Sequence, residues 1–115
     1  MPEPSILNAL SVTIRQRKEN PGDERSYVAS LLAGGVDKIG AKIVEEAREV
    51  VEAAAEPGDP GREHLVKEVA DLVFHALVML GHRDLEWADV EAELGGRFGI
   101  SGIAEKESRS RRENP

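Results

Sequence analysis

Cysteine is absent, and with it go disulfides, thiolate zinc sites, iron–sulfur clusters and cysteine nucleophiles. Aromatics are nearly absent too: Tyr27, Phe74, Trp87 and Phe98 are the whole set in 115 residues. Any core must therefore be built from Ala, Val, Leu and Ile. No apolar run approaches the ~18 residues a membrane helix needs, and the opening MPEPSILNAL lacks a basic region followed by an apolar one. Positive charge is short. Lys+Arg total 15 against 22 Asp+Glu, a net charge of −7, which argues against a dedicated nucleic-acid or anionic-membrane surface. A local anion pocket stays open, above all where metal ions supply the positive charge. The expectation is one soluble, cytoplasmic domain with a single thin core.

What is present is helical periodicity, with no convincing strand and no internal repeat. Ser5 can cap a first helix carrying Ile6, Leu10 and Ile14, stopped by Asn20-Pro21-Gly22-Asp23. Ser26 can cap a short second helix, Tyr27 to Ala33, ended by Gly34-Gly35. A third runs from Asp37 to Glu56 and stops at Pro57-Gly58-Asp59-Pro60-Gly61; a fourth runs from Arg62 to Leu80. The fifth, capped by Asp84, carries Trp87, Val90 and Leu94 and ends at Gly95-Gly96. The expected fold is all-α, a helical bundle around a long antiparallel hairpin. Residues 1–106 form the domain and 107–115 a flexible tail.

The hairpin carries the chemistry. On its first arm Ile39, Ile43, Ala47, Val50 and Ala54 form an apolar stripe, with Glu46 at its border and Lys38, Lys42, Glu45, Glu49 and Glu52 beyond. The second arm is apolar nearly all round, which asks for burial by more than one neighbour. One wedge is left, holding His64, Glu68, Asp71 and His75. Glu46 with Asp71 and Glu49 with Glu68 are both centred on position 58.5, inside the Pro/Gly loop. Antiparallel arms thus bring two carboxylate pairs to matching heights. Unscreened, the four would repel and their pKa values would rise.

A hard divalent cation resolves that conflict. Mg²⁺ takes oxygen ligands and shares its remaining positions with waters and substrate phosphates, and Mn²⁺ can substitute for it. A ferritin-like di-iron site wants Glu-x-x-His, which occurs nowhere here, and zinc prefers more nitrogen or sulfur donors. Taken as pattern alone, the glutamates also fit an ordinary solvated face, and His64 and His75 fit structural hydrogen bonds better than metal bonds. Lys38 and Lys42 can pair with Glu45 or Glu49, or hold a phosphate that the metal bridges. Arg97, Ser101 and Lys106 stand in a Gly-broken segment suited to phosphate contacts and to a substrate lid, or to a solvated tail.

These residues carry a resemblance. Glu45-Glu46-x-x-Glu49, followed after eighteen residues by Glu68-x-x-Asp71, is similar to the EExxE…ExxD pattern of the all-α, MazG-like nucleotide pyrophosphohydrolases. Ser26-Tyr27-x-x-x-Leu31-Leu32, Lys38-Ile39-x-x-Lys42, Ala70-Asp71-Leu72-x-x-His75 and Arg97-x-Gly99-x-Ser101-Gly102-Ile103-x-Glu105-Lys106 narrow it to the phosphoribosyl-ATP pyrophosphatases. The match spans residues 26 to 106. The first twenty residues and last nine match weakly, and Phe74 stands where that family often has Tyr. Length and the lack of cysteine lead us to expect the free-standing form, without a fused cyclohydrolase domain. The resemblance implies Mg²⁺-dependent hydrolysis of the α–β phosphoanhydride of phosphoribosyl-ATP, the second step of histidine biosynthesis. It implies Glu46, Glu49, Glu68 and Asp71 as metal ligands and Glu45 as the residue that orients or deprotonates water. Lys38, Lys42, Arg97, Ser101, Lys106 and Arg109 become phosphate binders, in a homodimer, with further association of dimers left open. Two alternatives stay open: a house-cleaning (d)NTP pyrophosphatase with the same carboxylates, and a non-enzymatic dimeric helical module. Phe74, Leu77 and Val78, on the second arm, are the expected uncovered surface of a dimer.

Overall fold

The computed structural model of the chain describes residues 5–22 and 26–99. Four helices follow in order: α1 (Ile6–Glu19), α2 (Tyr27–Ala54), α3 (Gly58–His82) and α4 (Trp87–Phe98). Among the described residues there is no strand, so the all-α expectation holds. The tail expected at 107–115 lies outside the described residues.

Helices α2 and α3 form the central antiparallel hairpin; α1 packs on both and α4 on α1. Ser5 caps α1 as expected, its hydroxyl accepting from the Asn8 amide at 3.1 Å, and Ser26 caps α2 through the Ala29 amide. Inside α2 one residue is not helical. Gly35 has φ 71° and ψ −161°, a region open essentially to glycine alone. The short helix expected before Gly34-Gly35 is therefore a separate arm, folded back on the helix that follows. Leu31 on that arm joins Ile14, Ile39, Leu77 and Val78 in the buried core.

Several helix ends differ from the sequence reading. Helix α3 starts at Gly58 rather than Arg62, because Pro60 falls in its first turn, where a missing N–H costs no internal hydrogen bond. Asp84 does not cap α4. It stands at φ 63° behind α3, its amide bonded to the Gly81 carbonyl, and its carboxylate takes the Lys18 ammonium at 2.9 Å. That hydrogen bond to Lys18 holds its pKa below the usual carboxylate value. Glu86 caps α4 instead, with Asp89 accepting from its amide, while the buried Ser11 hydroxyl accepts from the Trp87 amide. The helix runs through Gly95-Gly96 to a left-handed Gly99, since two glycines weaken a helix without ending it.

Two expectations about faces are corrected. The seam of α2 is turned toward Glu46, which is 6 % exposed, while Ala47 and Ala54 face outward. Burying an alanine methyl contributes far less than burying isoleucine or valine. The seam therefore follows Ile39, Ile43 and Val50 and meets the polar wedge of α3 at Glu46. Leu77 and Val78 are fully buried within the chain, and Phe74 is half-buried under Tyr27, so these three do not form an open surface. The folded-back arm and α1 cover them.

The exposed apolar side chains of the hairpin lie elsewhere: Val36, Val44, Val51, Val66 and Val69. At 100° per residue they fall on the side of the hairpin away from Glu49, His64 and Asp71. Because the fold-back hangs on one glycine, Gly35→Ala should lower stability by about 1–3 kcal/mol in chemical denaturation, through forced left-handed backbone. An unchanged midpoint would show that the reversal does not depend on that conformation.

Candidate metal and phosphate site

The two arms of the hairpin deliver the carboxylates as the register requires. Glu46 from α2 and Glu68 and Asp71 from α3 each place an oxygen within 4.8 Å of the others, a grouping able to hold a metal ion. Burial falls across the set, from buried Glu46 through half-buried Glu68 to exposed Asp71, so the cluster is a seam that opens to solvent on one side. Glu49 stands against Glu68 as well. Its carboxyl is the largest influence on Glu68, ahead of burial and of Glu46, and together they push the Glu68 pKa up to about 7. The chief cause is a hydrogen bond between Glu68 and Glu49, followed by burial, with the like charges of Glu49 and Glu46 acting in the same direction.

Two oxygens of the seam are left over. Glu46 Oε2 and Glu68 Oε1 are buried and accept no hydrogen bond. The other Glu68 oxygen, Oε2, is 3.1 Å from His64 Nε2, while His64 Nδ1 lies 3.0 Å from Glu56 Oε1. His64 thus links the hairpin loop to the cluster, and its pKa is raised, chiefly by the Glu56 hydrogen bond. An unpartnered buried carboxylate oxygen is costly; two facing one seam fit a cation. The donors are all hard oxygens, which suits Mg²⁺, Mn²⁺ or Ca²⁺ better than a soft metal.

Lys42 stands at the rim. Its ammonium donates to Glu45 at 3.0 Å and lies 3.9 Å from Glu46, and the Glu45 hydrogen bond raises its pKa. Glu45 is accordingly turned toward Lys42 rather than grouped with the three clustered carboxylates. Lys38, about one turn before Lys42 on the same side, donates to the Ser30 hydroxyl. Arg97 is not brought to the cluster. It lies on α4, paired with Glu93 at 2.8 Å. Ser101, Lys106 and Arg109, and with them most of the expected lid, lie outside the described residues.

One arrangement went unread in the sequence. His75, 5 % exposed, makes the interhelical hydrogen bond expected of it, and the partner is the Tyr27 hydroxyl, 2.8 Å from Nε2. Nδ1 donates to the Asp71 carbonyl at 2.8 Å. The rings of Tyr27, Phe74 and His75 touch, Tyr27 stacked on Phe74 with centroids 6.1 Å apart. The available signal was scarcity: two of only four aromatics stand beside one buried histidine.

Comparison with known proteins agrees with the geometry. The family model for phosphoribosyl-ATP pyrophosphohydrolase matches residues 7–98. A phosphoribosyl-ATP pyrophosphatase of Geotalea daltonii is 53 % identical over 107 residues, covering 92 % of this chain and 96 % of that protein. Those of Rhodopirellula baltica and Neisseria meningitidis serogroup C are 47 % and 50 % identical, over 95 % and 92 % of this chain and 91 % and 95 % of their own lengths. With the matched stretch containing both arms of the carboxylate hairpin, the chain belongs to the phosphoribosyl-ATP pyrophosphohydrolase family.

Proposed function

We propose that the chain hydrolyses phosphoribosyl-ATP to phosphoribosyl-AMP and pyrophosphate, as a step of histidine biosynthesis, with Mg²⁺ held in the hairpin seam. The observation that carries the metal reading is the pair of buried, unpartnered oxygens of Glu46 and Glu68, set in a cluster that already lifts one carboxyl pKa to about 7. Family membership supplies the substrate.

Glu46, Glu68 and Asp71, with Glu49 beside them, hold the cation. When bound, a divalent metal supplies charge neutralisation at the phosphate oxygens and a water of lowered pKa. The protein's own part is positioning. Lys42 holds Glu45 in the unliganded chain; a phosphate at Lys42 competes for that ammonium and releases Glu45 to take a proton from water. The water oxygen adds to one phosphorus of the α–β anhydride, the bridging P–O bond breaks, and pyrophosphate leaves. Lys38 lies further along the same face and holds the outgoing phosphates. Ser101, Lys106 and Arg109 complete that set in this reading. Arg97 joins it only by giving up Glu93.

We also propose a homodimer, through the valine face of the hairpin rather than through Phe74, Leu77 and Val78. Burying side chains such as Val51 and Val66 against a second copy contributes on the order of 1.5–3 kcal/mol each. Light scattering should give twice 12.5 kDa at micromolar concentration. Val51→Glu with Val66→Glu should give monomers of unchanged helicity, and a wild-type monomer with full activity would sink the idea.

Glu49→Gln and Asp71→Asn keep volume and lose charge, so far-UV circular dichroism should not change. Pyrophosphate release from phosphoribosyl-ATP at limiting Mg²⁺ should fall at least about a hundredfold, about 2.7 kcal/mol in barrier. Near-normal turnover by either variant removes it from the ligand set. A panel of deoxynucleoside triphosphates, run alongside, tests the house-cleaning alternative.

The raised Glu68 pKa sets a pH dependence. The folded metal-free chain binds this proton more tightly than the unfolded chain does. Its stabilising contribution is therefore complete below pH 4.5 and lost as pH rises through about 7. His64, also raised, works in the same direction above pH 6.5. Without divalent metal the melting temperature should fall between pH 5 and 7.5. Glu68→Gln should flatten that slope, and Mg²⁺ should restore stability at the upper end. Identical slopes for wild type and Glu68→Gln would contradict the assignment.

A further inference from the structure

Tyr27 reaches His75 from an unexpected distance along the chain. In the register that pairs Glu46 with Asp71, His75 stands level with Lys42, and a straight helix would carry Tyr27 about 22 Å beyond it. The reversal at Gly35 brings it back. The hydroxyl then meets a buried imidazole whose protonation is set from behind. A carbonyl can only accept, so Nδ1, 2.8 Å from the Asp71 carbonyl, carries the proton. Buried between a carbonyl and a hydroxyl, with no ion pair to it among the described residues, the imidazole in its uncharged form presents Nε2 as an acceptor, and the Tyr27 hydroxyl lies 2.8 Å away to donate into it.

The consequence falls on the outer side of Tyr27. Its one proton is committed inward, so the oxygen offers only lone pairs to whatever arrives from solvent. The residue is half-exposed and its ring is fixed on Phe74, and through His75 its hydroxyl stands two hydrogen bonds from the backbone of Asp71, a member of the carboxylate cluster. Lys42 donates to Glu45, and among the described residues no hydrogen bond runs from it to the Tyr27 hydroxyl. Ionised phosphates carry no donor and are repelled by such an oxygen. A nucleoside carries several.

Resting on the substrate reading above, we propose that Tyr27 is a specificity-determining residue: an acceptor-only hydroxyl at the rim of the site that takes a hydrogen bond from the nucleoside part of the substrate, from a ribose hydroxyl or the exocyclic nitrogen of the base. His75 is its positioning residue, fixing the proton's direction through the Asp71 carbonyl.

The test compares wild type with Tyr27→Phe, which keeps the stacked ring. Equilibrium titration uses ATP, 2′-deoxy-ATP and 3′-deoxy-ATP with Mg²⁺; turnover uses phosphoribosyl-ATP. Tyr27→Phe should bind ATP roughly three- to tenfold more weakly, the range for one lost hydrogen bond. KM should rise by a similar factor with kcat within twofold, and the Mg²⁺-induced rise in melting temperature should not change. A loss that disappears with one deoxy analogue assigns the donor to that hydroxyl; a loss that persists with both assigns it to the base nitrogen. Equal ATP affinity and equal KM for the two proteins overturn the proposal. So does a loss accompanied by a weakened Mg²⁺ response, because Tyr27 would then act only by holding the fold. If wild type binds ATP with the Tyr27 effect intact but releases no pyrophosphate from phosphoribosyl-ATP, the substrate assignment fails and the Tyr27 assignment stands.

Discussion

Carboxylates on two packed helices, with oxygens within 4.8 Å of one another, repel, and the rest of the fold has to hold them together against that repulsion. The core that does so is placed at one end. Ile14, Leu31, Ile39, Leu77 and Val78 pack where α1 and the folded-back arm meet the hairpin, well away from the Pro/Gly loop. Between the two stands the acidic seam, where the Glu68 pKa is pushed up to about 7. The seam is thus bound on one side by packing and on the other by a tight connection, with cation binding left as the route to relief.

That connection is itself constrained. Gly61 is buried, and a Cβ there would lie 2.3 Å from the Glu56 carbonyl oxygen, so the chain passes too close for any side chain. His64, one turn on, spans Glu56 and Glu68. Loop and cluster are therefore tied by one imidazole. The hairpin has two unlike sides as a result: acidic and basic groups on one, exposed valines on the other. A single chain solvates the first side well and leaves the second badly covered.

The part of this legible in the sequence was the part fixed by helical period and loop position. Glu46, Glu49, Glu68 and Asp71 could be matched in height because both pairs centre on the Pro/Gly break, which no helix crosses. Direction after a break was not legible. Gly34-Gly35 announces an interruption, but nothing local says that the preceding arm turns back over α3, so Leu77 and Val78 read as open surface. Rotation within the seam was also hidden. Glu46 and Ala47, about 100° apart on the helix, flank the stripe of Ile39, Ile43 and Val50 on opposite sides, and only the facing polar wedge of α3 decides that Glu46 goes in while Ala47 stays out. Asp84 read as the cap of the last helix; the Lys18 ammonium, far along the chain, took it, and Glu86 stands in the cap position instead.

The Pro/Gly connection also bears on the order in which the molecule is assembled. Every clustered carboxylate lies within residues 46–71, on either side of one short loop. Closing so short a loop carries little entropic penalty, and contacts of low sequence separation form early. The long-range ties, Lys18 to Asp84 and Ser11 to Trp87, must wait for distant segments to meet. The acidic seam is therefore the least costly of these contacts to close, while its oxygens stay together only once α1 and the folded-back arm have packed behind them.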